Sequence, residues 1–449
     1  MRNILFALLL LICYSASAAS FFPEERRDSI LQQISGANLS GNKSNILSFG
    51  AKGDGKTDCR KAVVKAMKKA RKQGGMHLIF PKGVWLMKGP IHLESNVTLE
   101  IQEDAVIRFD ATPEYYLPMV KTSWEGTLLW NYSPFIYGYQ LHDVAIIGKG
   151  TIDGNCANTF ATWKSKQGKG KEISREQNHK EIAVDERKFG EGYYLRPQLI
   201  QFFDSKNITI LDIFITNSPF WCIHLLQSEN IICRGIRYDA KLINNDGIDP
   251  ESSRNILIED VHFNNGDDNV AIKSGRDNDG WRAKPTENVI IRNCHFKGLH
   301  AVVIGSEMSG GVKNVFVEDC DYAGYCKRGL YVKTNPDRGG YVKDIYMRNL
   351  KFDEVEVFIY VTSMYAGEGM GSTHFSEVGN LYFENIHCNK VRHNGIVLQG
   401  TVAKPLHDIT FRNINIEQVP DALSMDYTED IIFRDCHFGK KAGVPTTAK

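Results

Sequence analysis

From residue 207 to near the C-terminus the chain repeats one short pattern of polar and apolar positions. Nine segments open on Asn207, Asn230, Asn255, Asn288, Asn314, Asp344, Asn380, Asp408 and Asp430, and an aliphatic residue follows each. Five places after the opening stands Asp212, Gly235, Asp260, Asn293, Asp319, Asn349, Asn385, Asn413 or Asp435. These residue types tolerate the left-handed backbone that a sharp corner needs. One place further runs a column of smaller apolar residues, from Ile213, Ile236 and Val261 through Cys294 and Cys320 to Cys436. Two beyond it runs a larger one that includes Tyr238, Phe263, Phe296, Tyr322 and Phe352. Strand, corner, strand, repeated every 20 to 40 residues or so, predicts a right-handed parallel β-helix whose coils stack about 4.8 Å apart. A leucine-rich solenoid fits less well, since the rows carry Val, Ile and Phe and leave no room for a helix between strands.

Upstream, short β-rich runs at residues 77–80, 83–87, 97–101 and 106–109 alternate with turns, none long enough for a typical helix. Before them, residues 59–72 place Ala62, Val63, Ala66, Met67 and Ala70 on one helical face. With Thr57 or Asp58 as its cap, this helix would close the open end of the elongated core. Residues 19–44 are polar and read as a partly ordered lead-in. Residues 155–192, rich in Lys, Glu and Gln, break the pattern and read as a long insertion, either a surface excursion or a wall beside a cleft. At the N-terminus, Arg2, an apolar run over 4–12 and Ser15-Ala16-Ser17-Ala18 read as an export signal cut after Ala18. The expected mature protein is a single β-helical catalytic domain, 19–449, exported to the periplasm or beyond, with no membrane span after signal removal.

Charge and cysteine content narrow the classes. The 54 basic and 53 acidic residues leave a formal charge of +1, which argues against a nucleic-acid partner. Ten cysteines leave nine after signal removal, an odd number. Cys294, Cys320 and Cys436 fall in a column otherwise filled by Ile, Val and Leu, so they read as core thiols. Cys222 with Cys233, or Cys320 with Cys326, could pair. No metal-ligand spacing is present, so neither metal nor cofactor is expected, and a monomer is.

The candidate chemistry lies in residues 242–275. Aligning the apolar strands puts Ile248, Val270, Val302 and Leu330 in one row and Asp246, Asp268, His300 and Arg328 in another, with Lys273 and Lys333 in a third. Acidic, acidic, His and Arg along one ridge is poor packing but a good carbohydrate site. Single Asp residues at corners are usually turn formers, and Asp249 and Asp260 read that way. Asp267 and Asp268, adjacent and one coil from Asp246, do not: like charges this close raise at least one pKa, as a general acid requires.

These residues resemble glycoside hydrolase family 28, the polygalacturonases and related pectin hydrolases, over roughly residues 45–438. Asn244-Asn245-Asp246 is similar to the family's Asn-Thr-Asp, and Gly266-Asp267-Asp268 to its Asp-Asp motif. Ser218-Pro219-Phe220-Trp221 and Val303-Ile304-Gly305-Ser306-Glu307 look like the bacterial, often exo-acting members. The resemblance implies an inverting hydrolase of α-galacturonides in pectic polymers or oligosaccharides. It implies Asp267 as general acid, Asp246 and Asp268 as the groups that activate water, and Lys333 as a contact to a sugar carboxylate. Two positions depart. Leu299 stands where the family His is expected, with His300 one residue later, and Tyr331-Val332-Lys333 replaces Arg-Ile-Lys. The usual carboxylate-gripping Arg is therefore absent, with Arg328, Lys273 or Arg196 as substitutes, which leaves rhamnogalacturonan and other branched pectic linkages open. A β-helical polysaccharide lyase and a non-catalytic carbohydrate-binding β-helix are the rival readings. The insertion at 155–192 and a second excursion at 365–378 interrupt the coils on either side of the Asp cluster, which predicts a pocket closed at one end and exo action.

Overall fold

The corner pattern becomes backbone geometry in the computed structural model, which describes residues 22–39, 41–366, 371 and 373–440. All nine predicted corner residues have positive φ, between 51° and 67°. The nine opening Asn and Asp residues do too, at 52–60°, so each unit has a second left-handed corner that the repeat analysis did not anticipate. Several of these openings also bond from coil to coil: Asn288 Nδ2 donates to Asn255 Oδ1 at 2.8 Å and Asn314 Nδ2 to Asn288 Oδ1 at 3.0 Å.

Between the corners the strands stack in parallel. Met76–Phe80, Val97–Ile101, His142–Ile147, Lys206–Leu211, Glu229–Arg234, Arg254–Glu259 and Thr286–Arg292 lie one above the next. With the usual hand of parallel crossovers, this winds a right-handed parallel β-helix. Its interior is one continuous apolar column. Ile208, Ile231, Ile256, Val289 and Val315 are wholly buried, and Tyr238 stacks on Phe263 with ring centroids 5.2 Å apart. In the last coil Ile431, Cys436 and Phe438 are only partly buried.

Among the described residues, four α-helices sit outside this column. α1 (Glu24–Gln33) lies in the stretch expected to be only partly ordered. It is held because Phe22 and Ile30 cover Leu257, Ile290, Phe316 and Tyr346, outward-facing residues of successive coils. Arg27 and Arg348 also reach Glu318, at 2.7 and 2.8 Å. α2 (Arg60–Gln73) starts and ends one residue later than predicted and buries the predicted face. Asp58 Oδ1, not Thr57, accepts from Arg60 N at 2.9 Å, and Gly74 ends the helix at φ 79°. α3 (Gly168–His179) follows a 3-10 turn, Phe160–Ser165, inside the insertion, and α4 (Asp277–Arg282) opens the loop after the Asp-rich strand. Neither helix was expected, because their inward faces are polar.

The nine described cysteines are all free, and all but Cys436 are buried. The two candidate pairings are thus replaced by core packing: Cys222 and Cys233 belong to the apolar interior, as do Cys320 and Cys326. The proposed signal, residues 1–18, lies outside the described residues. Among the described residues no helix is long and apolar enough to cross a membrane.

Candidate active site

Register fixes the ridge. Ile248 pairs with Val270, Val270 with Val302 and Val302 with Leu330, while Asp268 pairs with His300 and His300 with Arg328. Asp246 is set one coil below Asp268 because Gly247 N donates to the Asp268 carbonyl at 2.9 Å. Gly247 is required there, since a Cβ would collide with the Asn269 carbonyl. Asn245, fully buried, ties this turn down by donating to the carbonyls of Ser218 and Phe220 at 2.9 and 3.1 Å.

A cavity of about 440 Å³ opens over the ridge. Asp246, Asp267, Asp268, His300, Lys333, Tyr331, Arg328 and Lys273, all named from the sequence, line it. Glu125, Lys164, Lys171, Arg175, Trp221 and Tyr365 also line it, with Asn244, Ser306, Glu307 and Lys327. Arg196 is different. It is fully buried, donating to Gln167 Oε1 at 3.1 Å, the Ile243 carbonyl at 3.0 Å and Asn244 Oδ1 at 2.7 Å. Asn244 in turn donates to Asp267 Oδ2 at 3.0 Å. Arg196 therefore props the site from behind rather than facing a ligand, and its expected place among the ligand-binding residues is corrected.

The carboxyls have distinct surroundings. Asp268 accepts from His300 Nδ1 at 2.6 Å and from Lys333 Nζ at 3.1 Å. Burial pushes its pKa up, but Lys333, His300 and Lys273 outweigh burial and hold it well below the usual range. His300 shows the reciprocal balance: burial favours the neutral ring, yet hydrogen bonds to Asp267 and Asp268 raise its pKa. Asp246 is driven well above the usual range by burial and then by the neighbouring Asp249 carboxyl.

Asp249 is not the turn former it was taken for. It lies within the strand Ile248–Glu251, wholly buried, and the neighbouring Asp246 carboxyl is its one hydrogen-bonding neighbour among the described residues. Lys273 is 3.7 Å away, and burial leads in driving Asp249 well above the usual range. Asp260, by contrast, is a corner, at φ 54°.

Lys273 lies over the Trp221 ring at 4.5 Å and is shared with Glu307 at 3.4 Å. Glu307 is also bound by Arg276 at 2.8 Å. Burial would raise the Glu307 pKa, but Lys273, Arg276 and Arg338 bring it well below the usual value. The sequence pattern marked Lys273 as a ridge residue and Asp249 as a turn former, without joining either to this buried network. The one visible signal was the placement of Asp249 and Lys273 within otherwise apolar strands. Asp267, Asp268 and His300 bring oxygen and nitrogen atoms within 4.8 Å of one another, a spacing that could suit a metal ion. The Lys333 ammonium and the His300 proton already supply the cations at Asp268. A second cleft of similar volume neutralises itself, with Arg254 and Glu229 2.5 Å apart in its wall.

Comparison with known proteins adds the following. The family model described as glycosyl hydrolases family 28 matches residues 80–430, and one described as rhamnogalacturonase A/epimerase, pectate lyase-like, matches residues 44–100. The chain is 30% identical over 446 residues to a probable polygalacturonase of Vitis vinifera, covering 95% of this chain and 84% of that one. It is 28% identical over 339 residues to an endo-polygalacturonase of Pectobacterium carotovorum subsp. carotovorum, covering 74% and 77%. Among solved structures it is similar to a hyperthermoactive exopolygalacturonase from Thermotoga maritima, with a TM-score of 0.87, 35% identity and coverage of 93% and 96%.

Proposed function

The chain belongs to glycosyl hydrolases family 28 and is a pectin-degrading glycoside hydrolase, and from that premise we propose that it removes galacturonic acid residues one at a time from a chain end, with inversion. In this reading Asp267 protonates the glycosidic oxygen as the bond to the anomeric carbon breaks. Asp246 and Asp268 orient a water molecule on the opposite face and take its proton as the new bond forms. Asp268, with its lowered pKa, suits the basic role. Lys333, His300, Arg328 and Tyr331 face the sugar, Lys333 as a point charge.

One observation carries the reading: the insertion and the three-carboxylate cluster line the same cavity. α3 is fixed there, since Asn178 Nδ2 donates to the Arg276 carbonyl at 3.0 Å and His179 pairs with Asp277 at 2.8 Å. Tyr365 begins the second excursion, part of which, residues 367–370 and 372, lies outside the described residues. A fixed wall favours a pocket for one terminal sugar over an open groove, and the relative in Thermotoga maritima bears an exo name. Export before use suits a polymeric substrate that no cell takes up intact. The test is incubation of the purified protein with a panel of pectic polymers. Release of galacturonic acid without an ultraviolet-absorbing unsaturated product supports the proposal; unsaturated products indicate a lyase and contradict it.

A further inference from the structure

The insertion brings to the cavity two ammonium groups that have no ion-pair partner among the described residues. Lys164, in the turn Phe160–Ser165, and Lys171, in the first turn of α3, both line it. Of the other cations lining the cavity, Lys327, beside Arg328, likewise has no ion pair among the described residues, and the rest are taken. Arg175 pairs with Glu125 at 3.1 Å, Lys273 with Glu307 at 3.4 Å, Arg328 with Glu356 at 3.1 Å and Lys333 with Asp268 at 3.1 Å. Among the described residues, no carboxylate comes within 4.0 Å of Lys164 or Lys171.

The insertion has acidic residues that could have served. Glu176 instead pairs with Lys180 at 2.5 Å and Glu181 with Arg282 at 2.7 Å, all on the exposed side. Burial pulls the pKa of both lysines below the ordinary value, the Glu125 carboxylate opposes it in part, and Arg196 and Lys171 add to the lowering at Lys164. Two partly desolvated ammonium groups on one wall are unfavourable for the empty protein. An anionic ligand removes that penalty, and a uronate carries its carboxylate on every sugar. The ridge, meanwhile, lacks an Arg at the position of Tyr331, and Arg328 is held by Glu356.

We propose that Lys164 and Lys171 form the grip for the carboxylate of the terminal uronate at the closed end of the cavity, making the insertion a specificity element as well as a wall. The inference rests on the exo-acting reading above. Because neither side chain has an ion-pair or hydrogen-bond partner among the described residues, replacing them should leave the fold intact.

The test compares Lys164→Met, Lys171→Met and the double variant on trigalacturonate and on its methyl ester, with melting temperatures measured alongside. A charge-assisted contact of ordinary strength predicts that KM for trigalacturonate rises about 10- to 100-fold per lysine while kcat changes far less. The ester should be turned over equally by wild type and variants, and Lys→Arg at each position should recover most of the loss. Unchanged KM, or equal losses on acid and ester, overturns the grip while leaving the exo reading standing. A fall in melting temperature that tracks the loss also overturns it, by assigning the lysines a structural role. A wild type that leaves every galacturonate oligomer intact overturns the functional reading and the grip together.

Discussion

Asp267 and Asp268 are adjacent in sequence and opposite in surroundings. The Asp268 side chain is 3% exposed and bound by both Lys333 and His300, whereas that of Asp267 is 22% exposed, accepts from Asn244 and stands 3.7 Å from His300. One carboxylate is held as an anion by two cationic partners, and the other faces the cavity. This asymmetry suits the proposed division into a general acid and a base within a single strand.

Asp267→Asn should therefore lower kcat by roughly 10² to 10⁴-fold, the usual worth of general acid catalysis, with the melting temperature unchanged. Steady-state kinetics checks it. A variant retaining more than about a tenth of the wild-type rate would remove Asp267 from the acid role.

The His300–Asp268 pair sets a pH window. The raised His300 pKa means its stabilisation is complete below the unfolded value of 6.5 and is lost as pH rises through the higher folded value. The lowered Asp268 pKa means its stabilisation is present above the unfolded value of 3.8 and is lost as pH falls through the folded one. Melting temperature should thus hold across mildly acidic pH and decline on the alkaline side as His300 loses its proton. His300→Gln should flatten that alkaline decline and leave the acid side in place. An unaltered alkaline limb in the variant would contradict the pairing.

Asp249 and Asp246 form a buried acidic pair in which Asp249, the deeper of the two, has no donor among the described residues except the Asp246 carboxyl itself. A proton held on Asp249 would leave Asp246 as the member of the pair able to act as a base. Asp249→Asn, which imitates the protonated form, should keep kcat within about tenfold of wild type, while Asp246→Asn should lose on the order of 10²-fold or more. Equal losses would mean that the Asp249 anion itself is needed.

The scaffold was legible because its constraints are periodic. Corner residues recur at fixed offsets, and the apolar ladders of Ile208, Ile231 and Ile256 repeat in register. The ridge was legible for the same reason, since aligning apolar rows places Asp268, His300 and Arg328 on successive coils. The parts that escaped are those whose partners are remote and polar. α1 has few apolar residues and is held by outward positions that ordinarily face water. α3 docks through Asn178 and His179 onto α4, about 100 residues away, by contacts that leave no hydrophobic period. Arg196 and Asp249 were misplaced because a charged residue in a strand carries no sign of whether it faces a cavity or lies beneath one.

The most direct measurement of the central claim is the time course of products from polygalacturonate, followed by chromatography together with viscometry. A pocket walled by the insertion predicts galacturonic acid as the product from the first minutes, with viscosity barely reduced. A rapid fall in viscosity with mixed oligosaccharides and little monosaccharide would contradict it.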